Sequence, residues 1–296
     1  MSLSPITLFV YKRLLPTQLT VQALLKNPEA VYSDLIIYSD AAKTENDIKP
    51  VEEVREYLKS ITGFKSITIN ESPVNKGLAN SIMGGVTEVI NKYGRIIVIE
   101  DDLVVSPYFL KYMNDALDMY ENEADVVSIH GYVYPVDGIL PETFFIRGAD
   151  CWGWATWKRG WDIFNPDSAF LYDQMIKKNL GNEFDLDGNA RYMRMLRNQI
   201  DGKIDSWAIR WHASAFLAGK YTLYPGRSLV KNIGMGKDAT HTKSSNEFLV
   251  DLSDAPITLS CQKVEENISA RELFSKFYKD SRPGLINRIL IKLGLR

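Results

Sequence analysis

The chain has 296 residues, with 35 Lys and Arg against 37 Asp and Glu, so its formal net charge is −2. Hydrophobic residues make up 45% and charged residues 24%, an ordinary globular composition with enough length for a sizeable core. This argues against disorder and against a fibrous repeat, and the near-neutral balance argues against a dedicated nucleic-acid binder.

From the N-terminus, strand-like and helix-like segments alternate. Ile6 to Tyr11 reads as a buried strand, too short for a signal-peptide core or a membrane span. Thr17 is placed to cap a helix carrying Leu19, Ala23 and Leu24. Leu35–Tyr38 is a second strand, ending at Ser39-Asp40. Pro50 is expected to open a helix with Val51, Val54, Leu58 and Ile61 at helical spacing, and Gly63 to close it. Ile67–Ile69 is a third strand, and Leu78 to Asn91 a helix with Ile82, Val86, Val89 and Ile90 on one side. Ile96–Ile99 is too uniformly apolar to face water on either side. Ser106-Pro107 predicts a cap and an N1 proline for a helix to Tyr120, and Val126–Ile129 is another strand. This alternation predicts an α/β protein with a mostly parallel central sheet and helices on both faces. No GxGxxG or GxxxxGK[ST] follows the first strand, which lowers the dinucleotide-binding and P-loop readings.

Past residue 131 the pattern changes. Pro135, Gly138 and Pro141 mark a loop, and Met193, Leu196 and Ile200 recur at helical spacing. All six Trp fall between positions 152 and 211. Trp154, Trp157 and Trp161 stand at i, i+3 and i+7, which predicts one helical face used for packing. Trp152, at the entrance to that helix, is the better candidate for a sugar-pocket wall, because an aromatic face suits the C–H face of a sugar ring. Cys151 and Cys261 form no CxxC pair, which argues against a zinc finger or disulfide framework and fits a reduced, cytosolic setting.

Glu100-Asp101-Asp102 directly follows the apolar strand. Ligands of open α/β sheets bind at the carboxyl ends of strands. Three adjacent carboxylates repel one another unless a cation or a polyhydroxyl ligand shares them. A hard divalent ion takes oxygen ligands from one or two carboxylates plus substrate phosphates, and so assists departure of a diphosphate. The plainer alternative is that Asp102 and Ser106 only cap the next helix. Asp205, before Ser206-Trp207, is either a helix N-cap or a general base for an attacking hydroxyl.

These segments together resemble a family. Glu100-Asp101-Asp102-Leu103 with Ser106-Pro107-Tyr108-Phe109 resembles the EDDL…P.F segment of N-acetylglucosaminyltransferase I-like glycosyltransferases. The likeness continues, in order, over residues 5 to 245. Val10 to Arg13 resembles the first strand with its uridine-contacting Arg, and Ile37 to Asp40 the second, with its base-contacting Asp. Arg147 to Trp161 resembles the Arg-x-x-Asp…Gly-x-Gly-Trp segment, and Asp205-Ser206-Trp207 the Asp-Asp-Trp that bears the catalytic base. Tyr224 to Arg227 and Asn232 to Gly234 lead to a late His241. The chain is also similar to bacterial sugar transferases of that clan, encoded with surface-polysaccharide genes. Ser206 stands where the family can have a second Asp, and Cys151-Trp152 replaces other residues of the donor loop.

The resemblance implies a GT-A (Rossmann-like) fold and an inverting transferase using a divalent metal, Mn2+ before Mg2+, and a nucleotide-sugar donor, UDP-linked. Asp102 is then the metal ligand, Asp205 the catalytic base, and Arg13 and Asp40 read the base. Glu100 and Asp101 hold the ribose and diphosphate surroundings. Arg147, Asp150, Trp152, Gly153 and Trp207 line the nucleotide-sugar site, and His241 contacts phosphate or metal, or is simply a solvated loop residue. Residues 1–130 form the nucleotide-sugar-binding half, 131–250 the acceptor-binding and catalytic half of the same domain, and 251–296 a helical tail. In 281–296, Arg282, Arg288, Lys292 and Arg296 meet no acid, and Ile286, Ile289, Leu290 and Leu293 lie opposite the basic stripe. Such a helix either docks on the protein body or lies on an anionic membrane, as a lipid-linked acceptor at the cytoplasmic face would favour. A sugar nucleotidyltransferase and a non-catalytic carbohydrate-binding protein are the competing readings.

Overall fold

The computed structural model describes residues 3–234 and 246–281. His241 and positions 282–296 of the basic tail lie outside the described residues. In chain order the elements are β1 (Ile6–Val10), α1 (Leu14–Leu25), β2 (Asp34–Ser39), α2 (Glu45–Lys59), β3 (Ser66–Glu71), α3 (Leu78–Tyr93), β4 (Arg95–Glu100), β5 (Leu103–Val105), α4 (Phe109–Met119) and β6 (Val126–His130). There follow β7 (Thr143–Arg147), β8 (Trp154–Trp157), α5 (Lys158–Trp161), α6 (Ser168–Lys177), α7 (Gly181–Phe184), α8 (Tyr192–Ile200), α9 (Trp207–Leu217), β9 (Tyr221–Pro225), β10 (Val230–Asn232) and α10 (Ile268–Asp280).

Eight strands form one sheet in the order β3-β2-β1-β4-β8-β6-β9-β7. β3, β2, β1 and β4 are mutually parallel. β8 runs against both β4 and β6, which restores the common direction for β6 and its parallel neighbour β9. β7 closes the edge antiparallel to β9. Six of the eight strands therefore share one direction, and the expected α/β fold with a mostly parallel central sheet is present. β5 pairs antiparallel with β10 as a separate two-stranded ribbon.

The uniform apolar character of β4 follows from its place near the middle of this sheet. Side chains alternate between faces along a strand. Ile97 and Ile99 join the core layer that includes Leu8, Phe109 and Trp157, while Ile96 and Val98 join the opposite layer with Val86, Trp154 and Trp211. All four are at most 1% exposed. Burying each contributes roughly 1.5–3 kcal/mol. Ile82, Val86, Val89 and Ile90 of α3 are buried against the second layer, as their spacing predicts.

Several boundaries differ from expectation. α1 starts at Leu14, and the Thr17 hydroxyl donates back to the Arg13 carbonyl at 2.7 Å instead of capping. α2 starts at Glu45 because Thr44 and Asp47 form a reciprocal capping box, and Pro50 sits inside it. α4 starts at Phe109, since the residues after Asp102 first make β5 against β10. The tryptophan run is not one helical face. Trp154 and Trp157 belong to a strand, where positions three apart point to opposite sides, and they enter different core layers. The i, i+3 count cannot separate these cases when a buried strand runs directly into a four-residue helix. The N-cap of α9 is Ser206, whose hydroxyl accepts the Ile209 N–H at 3.3 Å; Asp205 stands one residue outside it.

Candidate active site

The carboxyl ends of β1, β2 and β4 meet at one edge of the sheet. β4 delivers Glu100-Asp101-Asp102 there, and β1 delivers Tyr11, Lys12 and Arg13. The Arg13 guanidinium bridges the triplet: Nη2 donates to Asp101 Oδ1 and to Asp102 Oδ2, the latter at 2.9 Å. The Tyr11 N–H reaches Asp101 Oδ2 at 3.4 Å. Burial opposes the Arg13 charge, but the two carboxylates outweigh it and hold its pKa above the ordinary value.

Burial, followed by repulsion from Asp102 and Asp101, pushes Glu100 up to about 8 against the pull of Arg13. Asp101 is pushed up to about 6, again mainly by burial, with Arg13 working the other way. One arginine thus leaves the triplet under-compensated. The β5–β10 ribbon covers the cluster: the Ile233 N–H donates to the Asp102 carbonyl at 2.8 Å. A Cβ at Gly234 would lie 2.0 Å from Asp102 Oδ2 and 2.9 Å from Arg13 Nη1, so only glycine passes there.

Lys12 is drawn away from this edge by Asp47, at 2.6 Å. Asp40, at the end of β2, accepts the backbone N–H groups of Ala41, Lys76 and Gly77 at 2.9 Å. Its carboxylate therefore ties the β3–α3 loop to the β2 end, next to a cleft of about 250 Å3 lined by Tyr38, Asn70, Lys76 and Asn80.

β8 runs antiparallel to β4, with Trp154 opposite Val98, so Gly153 and Trp152 stand beside the end of β4. Gly153 has φ +65°, and a Cβ there would lie 2.6 Å from Val230 Cγ2. Trp152 is half-buried, edge-on to Tyr132 and Phe248 with ring centroids 4.7 and 5.8 Å away. Burial, with Asp150, Glu100 and Asp102 nearby, pushes the Cys151 thiol well up. Asp150 accepts from the hydroxyls of Tyr134 (2.6 Å) and Tyr224 (3.4 Å), and from the Cys151 N–H (3.0 Å).

Two expected site residues are placed elsewhere. Arg147 ends β7 opposite Tyr221, the first residue of β9, at the far end of the sheet from the triplet. There it binds Glu183 at 2.8 Å and lies over the Phe216 ring at 4.2 Å. Trp207 is 3% exposed and stacks on Trp154 at 5.5 Å, within the core layer. Asp205 is more open, its side chain 59% exposed and its Oδ1 held by Arg210 Nη2 at 3.0 Å.

The sequence reading missed His130 and His212. His130 ends β6 as Glu100 ends β4, a strand-end position that was a usable signal. His212 lies within α9 and has no local signature.

No family model matches the sequence, and no curated protein matches it. Among solved structures, the chain is similar to a protein assigned as a nucleotide-diphospho-sugar transferase from Desulfovibrio desulfuricans, at 15% identity over 56% of this chain and 69% of that one, with a TM-score of 0.36. It is similar to a UDP-glucose pyrophosphorylase complexed with UDP-glucose, at 13% identity over 75% and 90% of the two chains, with a TM-score of 0.39. A third is the mannosyltransferase PcManGT from Pyrobaculum calidifontis in complex with GDP-Man and Mn2+, at 9% identity over 73% and 70%, with a TM-score of 0.37. Likenesses of this size assign no activity.

Proposed function

We propose that the chain is an inverting, metal-dependent glycosyltransferase. It moves a sugar from a nucleoside-diphosphate donor, UDP by the resemblance, to a hydroxyl of a glycan or lipid-linked acceptor, as in surface-polysaccharide synthesis. The observation that carries this reading is the under-compensated Glu100–Asp102 triplet at a strand end, with the Gly234 backbone packed close against the Asp102 carboxylate. An all-oxygen donor set fits Mn2+ or Mg2+. Among the described residues no group of three or more His, Cys, Asp or Glu side chains is arranged to hold a metal ion, so diphosphate oxygens would have to supply the remaining ligands. Asp102 would hold that ion, and the ion would supply charge neutralisation for the departing diphosphate.

The chain's own groups do the rest. Arg13, itself fixed by Asp101, holds Asp102 in place, and Asp40 with the β3–α3 loop borders the nucleoside. Trp152 offers its face to the sugar. Asp205, oriented by Arg210, takes the proton of the acceptor hydroxyl as that oxygen attacks the anomeric carbon. The C–O bond to the diphosphate breaks on the opposite side, inverting the configuration.

The competing readings are weaker. A nucleotidyltransferase wants a basic phosphate loop after β1, but Lys12 and Arg13 are both engaged by carboxylates. A binding platform wants exposed rings, but Trp154, Trp207 and Trp211 are buried. The test is hydrolysis of a panel of UDP-, GDP- and dTDP-sugars with and without Mn2+, read as diphosphate release. Metal-dependent release from one donor, lost in Asp102→Ala, is expected. No turnover of any donor overturns the reading.

A further inference from the structure

The loop between β7 and β8 carries Asp150, Cys151 and Trp152, and both described histidines grip its backbone. His130 Nε2 accepts the Trp152 N–H at 3.1 Å. The neighbouring Gly131 N–H donates to the Gly153 carbonyl at 2.7 Å. From the other side, His212 Nδ1 lies 2.8 Å from the Ala149 carbonyl and 3.2 Å from the Ala149 N–H. Gly148, at φ +102°, lets the His212 ring come this near: a Cβ there would lie 2.5 Å from its Cε1. His130 is buried and His212 half-buried, and loss of solvent lowers both pKa values, which favours the neutral rings.

Accepting from Trp152 requires an unprotonated His130 Nε2, so the proton sits on Nδ1. His212 Nδ1 either donates to the Ala149 carbonyl or accepts the Ala149 N–H, according to its tautomer. The two grips thus use different ring nitrogens, Nε2 of His130 and Nδ1 of His212, at opposite ends of one short loop.

We propose that His130 and His212 are positioning residues that hold this loop, and so fix where Trp152 stands beside the carboxylate triplet. The role of the loop rests on the glycosyltransferase reading; the grip itself does not. An open loop releases Cys151, whose half-buried thiol reports the event, whereas Cys261 is exposed.

The test is the rate at which iodoacetamide alkylates Cys151 at constant pH, in a full-length Cys261→Ser background. A glutamine amide reaches the position of an imidazole Nε2, and an asparagine amide that of Nδ1. His130→Gln and His212→Asn should therefore react at the wild-type rate. His130→Asn and His212→Gln should react about tenfold faster, because each strands a buried backbone group. This reciprocal pattern is not what a purely space-filling role produces. His130→Leu should also react faster, and if it fails to fold the amide pairs still decide. Equal rates in all variants, or rates that follow side-chain size alone, would overturn the inference. The assay uses no substrate. An intact pattern in a protein that turns over no nucleotide-sugar would condemn the glycosyltransferase reading and leave the grip standing.

Discussion

Arg13→Ala removes the cation that three carboxylates share. The Arg13 side chain is 25% exposed, and those of Asp101 and Asp102 are 6% and 17% exposed. Removing one partner of a fully buried pair costs about 3–5 kcal/mol, and an exposed pair is worth about 0–1 kcal/mol. Discounting for the exposed quarter of Arg13 gives about 2–3 kcal/mol lost at pH 8. The loss depends on pH in a fixed direction. Glu100 and Asp101 have pKa values above those of unfolded carboxylates, so the folded state binds more protons between pH ~4 and their raised values. Their stabilising protonation is complete below that window and is lost as pH rises through about 6 to 8. Without Arg13 the window widens, and the deficit should shrink towards about pH 5. Urea unfolding followed by tryptophan fluorescence measures it, at both pH values, with and without millimolar MnCl2. The metal should restore part of the deficit by replacing the lost charge. A variant as stable as wild type at pH 8, or a deficit no smaller in acid, would refute the reasoning.

Asp205→Asn should abolish sugar transfer while leaving donor affinity within about threefold, as expected of a proton acceptor, and retained transfer would remove Asp205 from that role. Gly153→Ala should cost more than about 1 kcal/mol, because φ +65° and a Val230 contact at 2.6 Å both oppose a Cβ, and thermal melting tests it. The lowered pKa values of His130 and His212 mean that the unfolded chain takes up their protons first as pH falls. Each therefore stabilises fully above about pH 6.5 and loses up to about 1.4 kcal/mol per pH unit below it. His130→Gln should lose less stability than wild type between pH 7 and 5, and identical slopes would contradict a neutral His130. Deleting residues 282–296, which carry four basic side chains and no acid, should weaken pelleting with anionic liposomes at low salt by about tenfold or more. Equal pelleting would defeat the membrane reading.

The β–α alternation was legible because each buried strand and each amphipathic face announces itself within a few residues. The strand ending in Glu100 located the acidic cluster for the same reason. Partners distant in sequence did not show. Arg13 reads as a base-contacting residue until its two bonds to Asp101 and Asp102, nearly ninety positions away, are known. Ribbon β5–β10 joins segments well over a hundred residues apart and displaces the start of α4. Arg147 carried a plausible motif, but β7 runs antiparallel at the sheet edge and delivers it to the wrong end. Strand direction is a property of pairing, which a linear pattern does not encode.

β8 has a consequence for assembly. Four residues, Trp154–Trp157, are the hydrogen-bonded link between the β3-β2-β1-β4 half and the β6-β9-β7 half. Neither half completes its core layers until this strand is inserted, and Val98↔Trp154 closes a chain loop of more than fifty residues. Insertion drives one indole into each layer, Trp154 against Trp161, Trp207 and Trp211 on one side and Trp157 on the other. The intrinsic fluorescence of the protein therefore reports on the joining of its two halves.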